Sequence, residues 1–160
     1  MRASWHLQAL PGYAAVFTTR RANLECFRNI GCAEVRYLPF GYDDELFPGP
    51  AELRGAPSRD VLFVGGADDD RVSFITQFLK SGLSVALVGG YWRRCPATRP
   101  YALGWQPPEA LARLTAASRI NLCLVRRANR DGHVMRSFEI AALGGCMLAE
   151  DTAEHRGIFG

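Results

Sequence analysis

VLFVGG at residues 61–66 and SVALVGG at residues 84–90 carry the same message twice. Each is an apolar run, rich in β-branched residues, that ends in two glycines, as a buried strand does when it must stop in a tight turn. Behind the first run, Val72, Ile75, Phe78 and Leu79 recur at helical intervals. Between Gly90 and Tyr101 the arginines and prolines predict an irregular loop. Pro107-Pro108 then opens a helix through Glu109 to Ala117, with Leu111 and Leu114 on one face and a proline suited to the first turn. Ile120 to Val125 reads as a third strand, Arg136 to Leu143 as a helix and Cys146 to Ala149 as a fourth strand. Strands alternating with helices imply right-handed crossovers and a parallel sheet covered on both faces. The expected fold is a Rossmann-like α/β domain.

Upstream, Tyr13 to Thr19 reads as a short buried strand, Arg20 to Asn29 as a helix and Glu34 to Pro39 as a further strand. FGYDDELFPGP follows as a loop, and Pro48 to Pro57 is the expected linker. The expected division is residues 1–50 and residues 51–160.

Parallel α/β sheets bind ligands at the carboxyl ends of their strands. Gly65, Gly66, Gly89, Gly90 and the loop before Arg136 all fall at that edge; the plainer reading is that the glycines only close strand-to-helix turns. VGGADDDR does not fit the G-x-G-x-x-G dinucleotide fingerprint, and Asp68, Asp69 and Asp70 would repel a pyrophosphate. Their place ahead of a helix suits capping.

Apolar residues make up 48% of the chain and charged ones 22%, which predicts a folded core rather than disorder. The net charge of +3 comes with eighteen arginines and one lysine, Lys80. Arg126, Arg127 and Arg130 are the nearest thing to a basic run, too short to argue for nucleic acid. The five cysteines contain no C-x-x-C pair, so neither a zinc site nor a disulfide framework is expected, and a reducing, cytoplasmic setting is. No apolar stretch of 18 residues is present, so no transmembrane segment is expected.

Chemistry concentrates in DGHVMRSFEIAALGG, residues 131–145. Asp131 and Glu139 would lie roughly 80° apart on one continuous helix, so a loop followed by a helix fits better. Gly132 breaks the start, Met135, Phe138, Ala142 and Leu143 form the apolar pattern, and Gly144-Gly145 stops it. Arg136 and Ser137 then fall in the first turn, where unpartnered N–H groups and the helix dipole favour an anion. Glu139 stands between Phe138 and Ile140, where an unpaired carboxylate is costly; either a ligand or an arginine must compensate.

An acidic residue, seven residues and a glutamate, leading into a small-residue helix, a glycine pair and the strand CMLAE, is similar to the donor-site motif of GT-B glycosyltransferases. RSFEIAALGG looks most like the CgeB-like, spore-maturation-type domain of that superfamily. The family usually has glutamate where this chain has Asp131. The resemblance covers Tyr13 to Gly160, most strongly from Val61 onward.

What it implies is specific. Glu139 would accept hydrogen bonds from a nucleotide ribose, and Arg136, with Ser137 and the helix N–H groups, would clamp the diphosphate. Arg71 would add charge there, unless it only pairs with Asp68 or Asp69. Asp131 would contact the transferred sugar, or else be a turn residue of an Asp-Gly pair. His133 would donate near the sugar or phosphate, or else be a solvent-exposed loop histidine. Tyr91, Trp92, Gly104 and Trp105 would line a nucleobase slot, with core packing the other reading of Trp105. Transfer of a hexose from a nucleotide-diphosphate sugar would need no metal or other cofactor, and the acceptor would be a glycan, a protein or a small molecule. Residues before Pro48 resemble the end of the acceptor domain, and Gly160 follows directly on a strand and loop. A fragment, inactive alone, is therefore expected. The rival expectation is a non-catalytic nucleotide-binding or interaction module. A response-regulator-type domain fits poorly, since it needs a phosphoacceptor aspartate at a later strand end and a lysine near the last strand.

Overall fold

The computed structural model describes residues 4–45, 53 and 57–160. The chain forms two units, Met1–Phe40 with Val125–His133 and Thr152–Gly160, and Gly41–Leu124 with Val134–Asp151.

The second unit is built on five parallel strands. In chain order its elements are β3 (Arg59–Val64), α3 (Asp69–Phe78), β4 (Val85–Val88), β5 (Ala102–Gly104), α4 (Pro108–Ala116), β6 (Ser118–Cys123), α5 (Met135–Ala142) and β7 (Met147–Ala149). The strand order is β5-β4-β3-β6-β7. Alternation along β3 decides the two faces. Val61 and Phe63 pack with Ile75, Leu87, Trp92 and Leu122 on one side. Leu62 packs with Ala86 and Val88 against Leu111 and Leu114 of α4 on the other. A strand buried on both faces must read as a continuous apolar run, which is why VLFV does. The sheet is the doubly covered Rossmann-like sheet that the alternation of strands and helices predicts.

Gly89 is the glycine this sheet needs. Its φ is +122°, and a Cβ there would stand 2.5 Å from the Gly65 carbonyl oxygen, so the ends of β3 and β4 approach only because the side chain is absent.

Three expectations need correction. The stretch between Gly90 and Tyr101 is not wholly irregular: Trp92–Arg94 and Arg99–Tyr101 are 3-10 turns, and the fifth strand, β5, follows at once. Arg20 to Asn29 is not one helix, because Arg21–Asn23 forms a 3-10 turn before the α-helix begins at Leu24. Residues after β7 do not stay a loop; Thr152 accepts the His155 N–H and caps a helix, Ala153–Phe159. The expected linker, Pro48 to Pro57, lies outside the described residues except for Leu53 and Pro57.

The first unit holds α1 (Ser4–Ala9), β1 (Val16–Thr18), α2 (Leu24–Asn29), β2 (Val35–Tyr37) and α6 (Ala153–Phe159). β1 and β2 run parallel, Val16 facing Val35 and Thr18 facing Tyr37. Val16, Cys32 and Val35 form its core with Leu10, Leu24, Phe27 and Ile30. Among the described residues no helix is long and apolar enough to cross a membrane.

Candidate functional site

In the second unit, a cleft of about 190 Å³ opens at the carboxyl ends of β3 and β6, beside the start of α5, with Arg71, Arg136 and Glu139 among its lining residues. The first turn of α5 is built by reciprocal bonds. The Val134 N–H donates to the Ser137 hydroxyl at 3.3 Å, and the Ser137 N–H donates to the Val134 carbonyl at 3.0 Å. Ser137 is fully buried, and its hydroxyl also meets the Cys123 thiol at 3.3 Å. Its side chain, expected beside a phosphate, is turned inward to hold the cap. The amides of Met135 and Arg136, at the first two helical positions, have no intrahelical acceptor available.

Arg136 pairs with Glu139 one turn on. The compensating partner that Glu139 requires is thus an arginine on its own helix. Burial pushes the Arg136 guanidinium below its ordinary value, with the Glu139 charge acting against that shift. The two atoms in closest approach, Nη1 and Oε2, are both buried against each other. The pair cancels charge, while a guanidinium with five N–H donors and a carboxylate with two oxygens have more hydrogen-bonding capacity than one contact uses, and both residues line the cleft. Tyr42 lies close to this carboxylate: its phenol is pushed up by burial and by the charges of Asp44, Glu139 and Asp43.

Arg71 is anchored by backbone. Its Nη1 donates to the Gly66 carbonyl at 3.0 Å and its Nη2 to the Leu124 carbonyl at 2.9 Å, tying the loops that follow β3 and β6. Asp68 caps α3 by accepting the Arg71 N–H at 3.0 Å, and stands 3.8 Å from the Arg71 Nε. A Cβ added at Gly65 would stand 3.0 Å from the Phe63 ring, while nothing lies within 4 Å of one added at Gly90. Tyr91 is 61% exposed in the left-handed region, φ 73°, with the Arg94 guanidinium 4.3 Å from its ring centre. Trp92 does not belong to any open slot. It is fully buried, edge-on to Phe63, and its indole N–H donates to the Gly65 carbonyl at 2.8 Å. Trp105, conversely, is 78% exposed, so core packing is not its role.

In the first unit, Asp131 is more than a turn residue. Its carboxylate is nearly buried and pairs with Arg20, and Asn129 donates to its other oxygen at 3.3 Å. His133 is buried too, not an exposed loop residue. Its Nε2 accepts the Phe40 N–H at 3.1 Å, which fixes the proton on Nδ1, and Nδ1 lies 2.6 Å from Glu154 Oε2. The same Glu154 oxygen accepts the Tyr37 hydroxyl at 3.0 Å, and Oε1 accepts the Arg21 N–H at 3.3 Å. Gly132 makes room for this carboxylate, since a Cβ there would fall 2.6–2.7 Å from Glu154 side-chain atoms.

The description "Glycosyl transferase-like" matches residues 71–160, more than half of the chain. The chain belongs to the glycosyl transferase-like family. It is also similar to the crystal structure of AviGT4, a glycosyltransferase involved in Avilamycin A biosynthesis, with a TM-score of 0.65 and 17% identity over 91% of this chain and 49% of that one. The chain thus spans about half the length of that structure, and the likeness establishes the Rossmann-like glycosyltransferase fold. No curated protein matches the chain.

Within this family fold, sequence reasoning missed Arg20, Tyr37 and Glu154. Arg20 and Asp131 are 111 residues apart, and no local pattern links them. A signal did exist for Glu154: Thr152 is a good N-cap, and an acid in the first turn of the helix it starts is favoured by the helix dipole.

Proposed function

We propose that this chain binds the nucleotide-sugar donor of a CgeB-like glycosyltransferase. The Arg136–Glu139 pair carries the reading, because it sets a cation and a carboxylate together at a helix start over a cleft. Glu139 accepts from the ribose hydroxyls. Arg136 and the amides of Met135 and Arg136 stabilise the charge of the diphosphate as the bond to the anomeric carbon breaks, an electrostatic contribution of the kind that dominates many such reactions. Arg71 adds positive charge from the first turn of α3, Gly65, Gly66 and Gly90 let the chain turn at the strand ends, and Tyr91 offers an exposed ring to the base. The resemblance assigns Asp131 and His133 to the transferred hexose. No metal or other cofactor enters this scheme, and the acceptor is a glycan, a protein or a small molecule. The first unit, residues 1–40 with 125–133 and 152–160, belongs to the acceptor side and the second unit to the donor side, and the 160-residue chain alone gives no transfer.

Calorimetric titration tests the donor half. A nucleoside diphosphate should bind more tightly than its nucleoside; equal affinity, or none for either in folded protein, sinks the reading.

One observation favours the rival, a non-catalytic nucleotide-binding module. Asp131 is tied to Arg20, and both ring nitrogens of His133 have protein partners, so the groups expected at the sugar are already engaged. The two readings separate on one comparison: donor hydrolysis or transfer in a longer protein containing this segment, with and without Asp131→Asn. Unchanged turnover on substitution would favour the module.

A further inference from the structure

Positive charge is segregated in this molecule. The unit made of residues 1–40, 125–133 and 152–160 holds nine arginines against four carboxylates, Glu25, Glu34, Asp131 and Glu154. The rest of the chain holds ten cations against twelve carboxylates. A general preference for arginine would enrich both alike and leaves this asymmetry unexplained.

Three of the four carboxylates are committed: Glu34 to Arg36, Asp131 to Arg20, and Glu154 to His133 and Tyr37. Two crossed contacts then bring residues 20–23 and 127–131 together. Arg20 reaches to Asp131, and Arg130 reaches back, its Nη2 donating to Asn23 Oδ1 at 2.8 Å. Arg130 is held in the left-handed region, φ 56°, a conformation unfavourable for a non-glycine residue that persists where surrounding contacts over-determine it. Beside the neutralised Arg20–Asp131 pair stand three exposed arginines, Arg21, Arg127 and Arg130. The side-chain contacts of two of them are to neutral groups: Arg21 lies 4.1 Å over the Tyr37 ring, and Arg130 meets an amide oxygen. Arg127 sits in the 3-10 turn Arg127–Asn129 just ahead of Asp131.

We infer that Arg21, Arg127 and Arg130 form an oxyanion site, and that the acceptor of the transfer reaction is accordingly an anionic molecule bearing a carboxylate or a phosphate. The identification of the ligand as acceptor rests on the glycosyltransferase reading; the anion site does not. Guanidinium forks match both oxyanions in shape and hydrogen-bond pattern. Three side chains on one turn and one loop suit a small anion better than a polymer backbone.

The experiment titrates the full 160-residue chain with glucuronate, glucose 6-phosphate and glucose, followed by NMR at low and high salt. Both anions, or one of them, should bind about tenfold or more tighter than glucose, a difference that charge-assisted hydrogen bonds supply; which anion does so identifies carboxylate or phosphate as the group. Binding should weaken with salt and fall about tenfold in the double variant Arg127→Ala with Arg130→Gly, glycine being chosen because it accepts the left-handed backbone. Equal binding of glucose, anion binding unchanged in the double variant, displacement of the anions by the uncharged nucleoside uridine, or tighter retention of a short DNA duplex would each overturn the proposal. UDP titrated in parallel should bind wild type and double variant alike. Its failure to bind either counts against the donor reading, while salt-sensitive anion binding lost in the double variant still upholds the oxyanion site.

Discussion

His133 and Tyr37 converge on one oxygen of Glu154, the imidazole Nδ1 at 2.6 Å and the phenol hydroxyl at 3.0 Å. The imidazole also serves the Phe40 N–H, so it has two hydrogen-bond partners to lose. His133→Ala should therefore destabilise the chain by about 2–4 kcal/mol, leaving a carboxylate and an amide short of partners, and Tyr37→Phe by only about 1 kcal/mol. Urea unfolding of both variants checks the order. A Tyr37→Phe loss equal to or greater than that of His133→Ala would show that the ring nitrogens carry little.

The same cluster sets an alkaline limit. Burial pushes the Tyr37 phenol up, the hydrogen bond to Glu154 and that residue's charge push it further, and Arg21 pulls it back. A raised folded-state value means that the native chain favours the neutral phenol. Its stabilising effect is whole below the unfolded tyrosine value of about 10 and is lost as pH climbs through the folded one. Stability of the wild type should fall above about pH 10 more steeply than that of Tyr37→Phe. Parallel slopes for the two proteins would remove Tyr37 from the explanation.

At the donor cleft, Glu139→Gln should weaken nucleoside diphosphate binding by about 1–3 kcal/mol, because a charged acceptor is lost at nearly constant volume. A 2′-deoxyribose ligand should bind the wild type more weakly by a similar amount and should lose little further affinity to the substitution. Additive losses in this cycle would mean that Glu139 acts only by holding Arg136.

Two neighbouring glycines make a controlled pair. Gly89→Ala forces a Cβ toward the Gly65 carbonyl oxygen at an unfavourable φ, whereas Gly90→Ala enters open space. The first should cost about 2–4 kcal/mol and the second less than about 1 kcal/mol. Chemical denaturation reads both, and a tolerated Gly89→Ala would mean that β3 and β4 can separate at little cost.

Where burial follows the pattern of the chain, the sequence is legible. VLFV and SVALV announce β3 and β4 because both faces of each strand are covered, and the apolar spacing from Met135 to Leu143 announces α5 to within a residue. The strand ALG, residues 102–104, is too short for any alternation to register, and Leu103 is exposed; only its pairing with β4 makes it a strand. Glu139 shows the same boundary at the site. Its surroundings in sequence demand a partner, but that Arg136 would be the partner follows from side-chain geometry. Asp131 and His133 could be singled out, yet their partners Arg20 and Glu154 are separated from them by 111 and 21 residues and only folding brings them together.

The first unit is assembled from three stretches of chain, and Glu154 belongs to the last of them. During synthesis residues 4–40 leave the ribosome well before Glu154 does, so Tyr37 and His133 must wait for a carboxylate made more than a hundred residues after Tyr37. A segment that emerges before the five-stranded sheet is therefore completed after it. A nascent chain halted near Glu150 would carry a finished five-stranded sheet and an N-terminal unit still lacking the anion on which its polar contacts meet.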